Sequence, residues 1–450
     1  MRLLDKMGLG EIYSFNSRVR FLFLILLLSG VILLADQNVM SPNIQAIENE
    51  FKIGDKEIGI IGSAFTLIAS VVTLLWGYLT DKFSRKALLI TATLLGEIPC
   101  FLTGLAQSYH QMLFLRVLTG IGIGGTVPVA FSLLGDFFTE KTRPRAQAWY
   151  DAITTVGVLL GMIIAGFVGP VLGWRIPFML VSAPNFFFVL GMFFSEEPAR
   201  GAGEQEIREF MIAGEQYKSS LKIKDYLRLL KVPTNIWVFL QGLPGTVAWG
   251  IIPYYLIVFY QRYKNYPVQL GTVLLIILGL GTVLGKLLGG IIGNKIYLKK
   301  RSLLPIALGI LQLVGVIPIL ITLLWPSPKN PTIKDIFAPG LFGFLGALLI
   351  STSGPNVRAI LMNVNLPEHR GAISSIFNLT DNIGMGLGPF IGGLISSVKG
   401  LDFAMITSAL FWIPCGLLLF IVATSIEKDT LKVRGRMQDM RKEIEQNEKV

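Results

Sequence analysis

Charge is what this 450-residue chain has little of. Asp, Glu, Lys and Arg together make up 15% of it, against about 25% in soluble domains. A soluble enzyme or a nucleic-acid-binding domain of this length would need a charged surface, so both are excluded as first readings. Cysteine and histidine are also scarce, with two of each: Cys100, Cys415, His110 and His369. Two isolated thiols exclude a disulfide scaffold, and none of the four stands at metal-ligand or redox spacing, so no metal and no cofactor is expected. In place of charge there are long apolar runs, such as FLFLILLLSGVILLA (21–35) and VLLIILGLGTVLG (273–285). Runs of this kind form helices that satisfy their own backbone groups, which the bilayer core demands.

A membrane-spanning helix takes about 20 apolar residues. Cutting the chain at charged or Pro/Gly-rich breaks gives twelve spans: 19–40, 58–79, 87–107, 111–137, 146–172, 175–195, 235–260, 268–293, 303–325, 338–363, 372–398 and 401–425. The fold class expected is therefore an all-α membrane protein with twelve transmembrane helices. Its parts are a six-helix bundle over 1–195, a linker over 196–234, a second six-helix bundle over 235–425 and a tail over 426–450. Of the 40 Lys and Arg residues, 29 fall in the termini, the linker and the loops on their side of the membrane. Cytoplasmic loops retain such residues, so both termini and the linker are expected in the cytoplasm. The net charge of +11 is then an orientation signal, and nucleic acid is not an expected partner.

The two six-span halves repeat. At an offset of 227, Pro128 falls on Pro355, Arg143 on Arg370, Gly157 on Gly384 and Gly161 on Gly388; at an offset of 213, Gly77 falls on Gly290 and Lys86 on Lys299. Duplicated halves of this kind enclose substrate paths in transporters. The segment GYLTDKFSRK (77–86) resembles the signature loop of the major facilitator superfamily through Gly77, Leu79, Asp81, Lys82, Arg85 and Lys86, with Ser84 where the family has glycine. GIIGNKIYLKKR (290–301) is a degenerate second copy, and LRVLTGIGIGG (115–125) is similar to the family's membrane-embedded arginine and glycine run. The first hairpin, ADQNVMSPNIQAIENEF (35–51), looks like that of Spinster-like members, associated with lysolipid and sphingoid-lipid export. The organic-anion symporters of the same superfamily are similar there too.

The resemblance implies two pseudo-symmetric halves, a central cavity beside spans 1 and 4, and transport by alternating access with no enzymatic activity. It further implies that Asp81 caps the N-terminal end of span 11 and that the basic residue, with Arg85 and Lys86 near the inner face, pairs with the acid ending span 4, Asp136. Gly77, Asp81, Arg85, Lys86 and Asp136 thus form the expected cytoplasmic gate. Ionisable groups within spans usually face a cavity or a partner. At about 1.5 Å rise per residue, Asp36 in span 1 and Arg116 in span 4 lie at similar depth. They are the leading substrate or proton site, weighed against a static ion pair. Arg358, Asp381 and Asn378 form a second candidate cluster, and Gln241, Trp249 and Tyr254 offer polar and aromatic surface on span 7. That span is expected to be weakened or bent by Gly242, Pro244, Gly245, Gly250 and Pro253. Glu97 reads as a structural acid beside Pro99.

The expected function is secondary active transport of a small amphipathic organic solute, with a lysolipid as the named candidate and proton coupling through Asp36 or Asp381. An organic-anion or sugar symporter stands as the alternative, and a non-transporting receptor as the other class. A monomer in the plasma membrane, among membrane lipids, is the expected form.

Overall fold

The computed structural model describes residues 9–139, 142–200, 229, 231–366 and 369–447, with backbone only at Asp81, Pro144, 370–372 and 439–447. Most of the linker, 201–228, lies outside the described residues. The chain divides into two compact units, Met1–Ser219 and Ser220–Val450. Unit 1 holds α1 (Ser17–Asp36), α2 (Met40–Phe51), α3 (Asp55–Lys82), α4 (Arg85–Thr103), α5 (Tyr109–Ile123), α6 (Thr126–Phe137), α7 (Arg143–Leu172) and α8 (Arg175–Phe193). Unit 2 holds α9 (Pro233–Lys264), α10 (Val268–Lys299), α11 (Leu303–Leu324), α12 (Phe337–Ser351), α13 (Ser353–Asn363), α14 (Arg370–Lys399), α15 (Leu401–Leu410) and α16 (Trp412–Asn447). Short 3₁₀ turns at Gly10–Ser14 and Ile333–Ile336 complete the elements, and no strand occurs among the described residues.

Eleven segments among the described residues are long and apolar enough to cross a membrane. The twelfth expected span is present as α14, a 30-residue helix. Asn378, Asp381, Asn382 and a run of glycines make it too polar to stand with the others. Around the bundles, Val71, Leu74 and Leu75 on α3 and Leu284, Leu287 and Ile291 on α10 are exposed. Exposed apolar stripes of this extent suit a lipid surface and not water.

The sequence repeat is also a packing repeat. In unit 1, α1 packs on α7 and α8, α4 on α5 and α8, and α3 on α5; in unit 2, α9 packs on α14 and α16, α11 on α12 and α16, and α10 on α12. Glycines set the closest of these approaches. Gly157 and Gly161 bring α7 onto the carbonyls of Val31 and Ala35, while Gly388 brings α14 onto the backbone of Gly250 and Val247 and Gly384 brings it onto the Thr246 side chain. A Cβ would collide with backbone at Gly157, Gly161 and Gly388 and with the Thr246 side chain at Gly384. Gly173 and Gly400, also 227 apart, end α7 and α14 with φ of 92° and 91°, a conformation that favours glycine.

Two spans are interrupted where no break was expected. Span 4 divides into α5 and α6 at Gly124–Gly125, and span 10 into α12 and α13 at Thr352; Gly125 and Thr352 are again 227 apart. Carbonyls freed at the first break find donors on α3: Trp76 Nε1 donates to Ile121 O at 2.8 Å and Thr73 Oγ1 to Gly124 O at 2.9 Å. Span 7, in contrast, is one continuous helix of 32 residues through Pro244 and Pro253. Its Gly250 is used for close packing on Met385 and Gly388 of α14. Likewise α16 runs on unbroken past residue 425, and Asp429 Oδ2 accepts from Thr234 N (3.0 Å) and Oγ1 (2.7 Å). It thereby caps the first turn of α9, which has no side-chain cap of its own.

Candidate functional site

Unit 1 buries a charged cluster among α1, α4, α5 and α8. Asp36 is the last residue of α1 and 0% exposed; Arg116, on the first half of the broken span 4, is 2% exposed. Arg116 Nη1 donates to Asp36 Oδ1 at 2.9 Å, and Nη2 to the Asp36 carbonyl at 3.5 Å. The guanidinium thus neutralises the carboxylate and also serves the negative end of the α1 dipole. Phe65 and Phe178 cover it, with ring centroids 4.7 and 5.4 Å away, a desolvated cation–π setting. The Cys100 thiol donates to Asp36 Oδ1 at 2.7 Å. Glu97, one turn before Cys100 and 0% exposed, accepts from Asn185 Nδ2 of α8. Depth arithmetic on two separate helices therefore anticipates a real contact, but it omits Glu97, Cys100 and Asn185.

The same positions in unit 2 carry no charge. Asp36 follows Ala35 at the Gly161 contact, as Ala248 follows Val247 at the Gly388 contact. Gly96-Glu97-Ile98-Pro99 recurs as Gly315-Val316-Ile317-Pro318, with Gly96 against Ile123 and Gly315 against Ile350, 227 apart. Arg116 falls at that offset on Gly343. Ala248 and Val316 are buried and Gly343 packs against Leu278 and Thr322, so unit 2 fills these positions without charge.

Unit 2 has its own polar positions. Arg358 on α13 is exposed and donates to Asn378 Oδ1 of α14 at 3.3 Å, rather than directly to Asp381. Asp381, half-buried one turn further along α14, faces Gly242 of α9. Gln241 is buried beside Cys415, and its Oε1 has no hydrogen-bond partner, nor do Gln312 Oε1 and Trp412 Nε1. Trp249 meets Trp412 edge-to-face at 5.3 Å. Tyr254 is half-buried against Tyr255, whose hydroxyl donates to Pro389 O at 2.8 Å.

At the end of unit 1 that carries the N-terminus, Arg85 pairs with Asp136, the acid near the end of α6. Arg85 Nε also donates to Glu197 Oε1 at 2.6 Å and Nη2 to Pro198 O at 3.1 Å. Ser84 caps α4 through Ala87 N (3.2 Å) and donates to Glu197 Oε2 at 2.5 Å. Serine is used there for hydrogen bonding that glycine could not supply. Lys86 Nζ donates to Ser195 O at 2.6 Å. Burial opposes ionisation of Glu197, but the hydrogen bonds from Ser84, Arg85 and Lys86 prevail and hold its carboxyl below the usual range. No Cβ at Gly77 would meet anything within 4 Å, and the side chain of Asp81 lies outside the described residues. Glu197 is the residue that sequence reasoning missed; the acidic pair before a proline, Glu196-Glu197-Pro198, is its only signal.

At the opposite end, Arg175 ties three loops together, donating to Glu50 Oε2 and Ala106 O at 2.6 Å each and stacking at 4.3 Å on Trp174.

Similar proteins fit this geometry. A cis,cis-muconate transport protein of Acinetobacter baylyi is 25% identical over 433 residues, covering 91% of this chain and 97% of its own length. The human synaptic vesicle glycoprotein 2A is 28% identical over 170 residues, 37% of this chain and 23% of its own. Among solved structures, a bacterial homologue of the human lysosomal transporter Spinster aligns with a TM-score of 0.78 at 19% identity, covering 92% and 99% of the two chains. A D-xylose–proton symporter aligns at 0.67 with 15% identity, covering 91% and 97%. The family profile of the Major Facilitator Superfamily matches residues 26–353. The chain therefore belongs to the major facilitator superfamily, a family of transporters and not of enzymes.

Proposed function

We propose that this protein is a secondary active transporter that carries a small amphipathic organic anion together with protons, its two halves alternating in access to either side of the membrane. The observation that carries this reading is the buried Asp36–Arg116 pair, whose charges have no counterpart in the matching contacts of unit 2. A buried ion pair is a poor stabiliser, since desolvation offsets most of the Coulomb gain. A fold that manages with Ala248 and Gly343 does not need one for packing. Arg116 supplies a desolvated cation for a carboxylate, Asp36 holds it between turnovers, and aromatic rings flank it to receive an apolar body. Arg358, Asn378 and Asp381 supply polar contacts on unit 2, with Gln241, Trp249 and Tyr254 along span 7. The full-length similarity to a carrier of cis,cis-muconate, a dicarboxylate, supports an anion over a neutral solute.

Purified protein in liposomes tests this with a panel of labelled carboxylates, xylose and a lysophospholipid, each with and without an inside-alkaline pH gradient. Accumulation of a carboxylate driven by the gradient is expected. Movement of the lysophospholipid alone would contradict it and favour the lipid-carrying alternative.

A further inference from the structure

Glu97 is a buried acid that the mechanism above does not use. Its position is unusual: the oxygens of Asp36 and Glu97 and the Cys100 sulfur all lie within 4.8 Å of one another. Asp36 takes Arg116 and the Cys100 thiol on Oδ1, and Glu97 takes Asn185 on Oε1. Asp36 Oδ2 and Glu97 Oε2 are both buried without a hydrogen-bond partner among the described residues. Two carboxyls thus face one guanidinium. With both ionised, a net negative charge would be buried in a helix bundle among Phe65, Phe178 and Leu33. An uncompensated buried charge of that kind neutralises by taking a proton.

We propose that Asp36 and Glu97 form a two-carboxyl proton site in which one proton is held permanently, on Glu97 while Arg116 is bound to Asp36. This deepens the transport reading above and rests on it for its consequence. When Arg116 turns from Asp36 to a substrate carboxylate, the pair is left one positive charge short. A hydronium ion from the bathing solution then transfers its proton to Asp36 Oδ2, becoming water; the new O–H bond breaks and the proton returns to water when the anion leaves and Arg116 returns. One proton is carried for each anionic charge that Arg116 takes.

The charge balance follows from every element around the pair. Asp36 comes from α1, Glu97 and Cys100 from α4 and Arg116 from α5; α8 contributes the neutral Asn185, and α7 brings Tyr150 against Gly30, further down α1. Arg116 lies against Asp36 Oδ1 and, at 3.9 Å, the Cys100 sulfur. The acid is not a packing requirement, because Val316 fills its position in unit 2.

Infrared spectroscopy of the full-length protein in liposomes at neutral pH reads the proton directly, through a carboxylic-acid C=O stretch that shifts in D₂O. Wild type is expected to show such a band and Glu97→Gln to lose it. Arg116→Gln, which removes the only cation, is expected to take up a second proton and double the band. Absence of the band in wild type, its full retention in Glu97→Gln, or an unchanged band in folded Arg116→Gln would each overturn the proposal. None of these readings depends on the carried solute. A protein that shows the band but moves no carboxylate would refute the transport reading and leave the proton site standing.

Discussion

Asp36 and Arg116 show how far single residues can be read without coordinates. Two charges in otherwise apolar spans, counted to similar depth, prove to be hydrogen-bonded at 2.9 Å. Glu97 reads as a hydrogen-bonded structural acid and does accept from Asn185, but its nearness to Asp36 is not anticipated, for a physical reason. A third span usually faces away from the centre of such a bundle, and nothing in one span's sequence says which neighbour its acid will meet. Removing one member of a buried pair costs about 3–5 kcal/mol where the other stays charged, and less where a proton restores neutrality. Arg116→Gln and Asp36→Asn should therefore each lower the thermal unfolding midpoint in detergent, and the double variant should lose less than the two combined. A coupling of about 0.5–3 kcal/mol is expected from such a cycle. Glu197 gives a pH-dependent prediction. Its folded pKa lies below the ordinary value of 4.5, so its contribution is complete above that value and is lost as pH falls through the folded one. Glu197→Gln should lower the unfolding midpoint at neutral pH, and the difference from wild type should vanish in acid below the depressed pKa. A difference that persists there would mean that the carboxylate is not what holds the 195–200 segment to Ser84 and Arg85.

At the scale of elements, apolar runs and Pro/Gly punctuation located the spans but not the breaks in spans 4 and 10. Prolines and glycines in span 7 read as weakening or bending it; the helix continues, with Gly242 and Gly250 against α14 and Gly245 against Cys415 of α16. The break in span 4 comes at Gly124–Gly125, where Trp76 and Thr73 on another helix take up the carbonyls. Such tertiary compensation leaves no local sequence signal. Trp76→Phe should cost about 1–3 kcal/mol, because it leaves a buried carbonyl at the break without its donor. Glycine substitutions separate contact from signature. Gly157→Ala and Gly161→Ala, whose new methyl groups would meet the α1 backbone, should each destabilise by about 1–3 kcal/mol. Gly77→Ala, with open space around it, should stay within about 0.5 kcal/mol of wild type. Equal losses at all three positions, measured by thermal unfolding, would contradict the packing account.

For the whole molecule, the duplication was the most legible feature, since matching glycines and prolines lie in both halves of the sequence. What the sequence did not disclose is that the halves differ chemically at one shared position. Unit 1 buries Asp36, Glu97 and Arg116 where unit 2 has Ala248, Val316 and Gly343, so one scaffold is ionisable and its copy is inert. On this account the charged copy couples protons to the solute, and the contacts of Arg85 with Asp136 and Glu197 hold together one end of the same unit. The most direct test is uptake of labelled carboxylates, cis,cis-muconate first, into liposomes holding wild type or Asp36→Asn under an inside-alkaline pH gradient. Wild type should accumulate the carboxylate above its external concentration, while Asp36→Asn should only exchange it across the membrane. Gradient-driven accumulation by Asp36→Asn at the wild-type level would contradict the central claim.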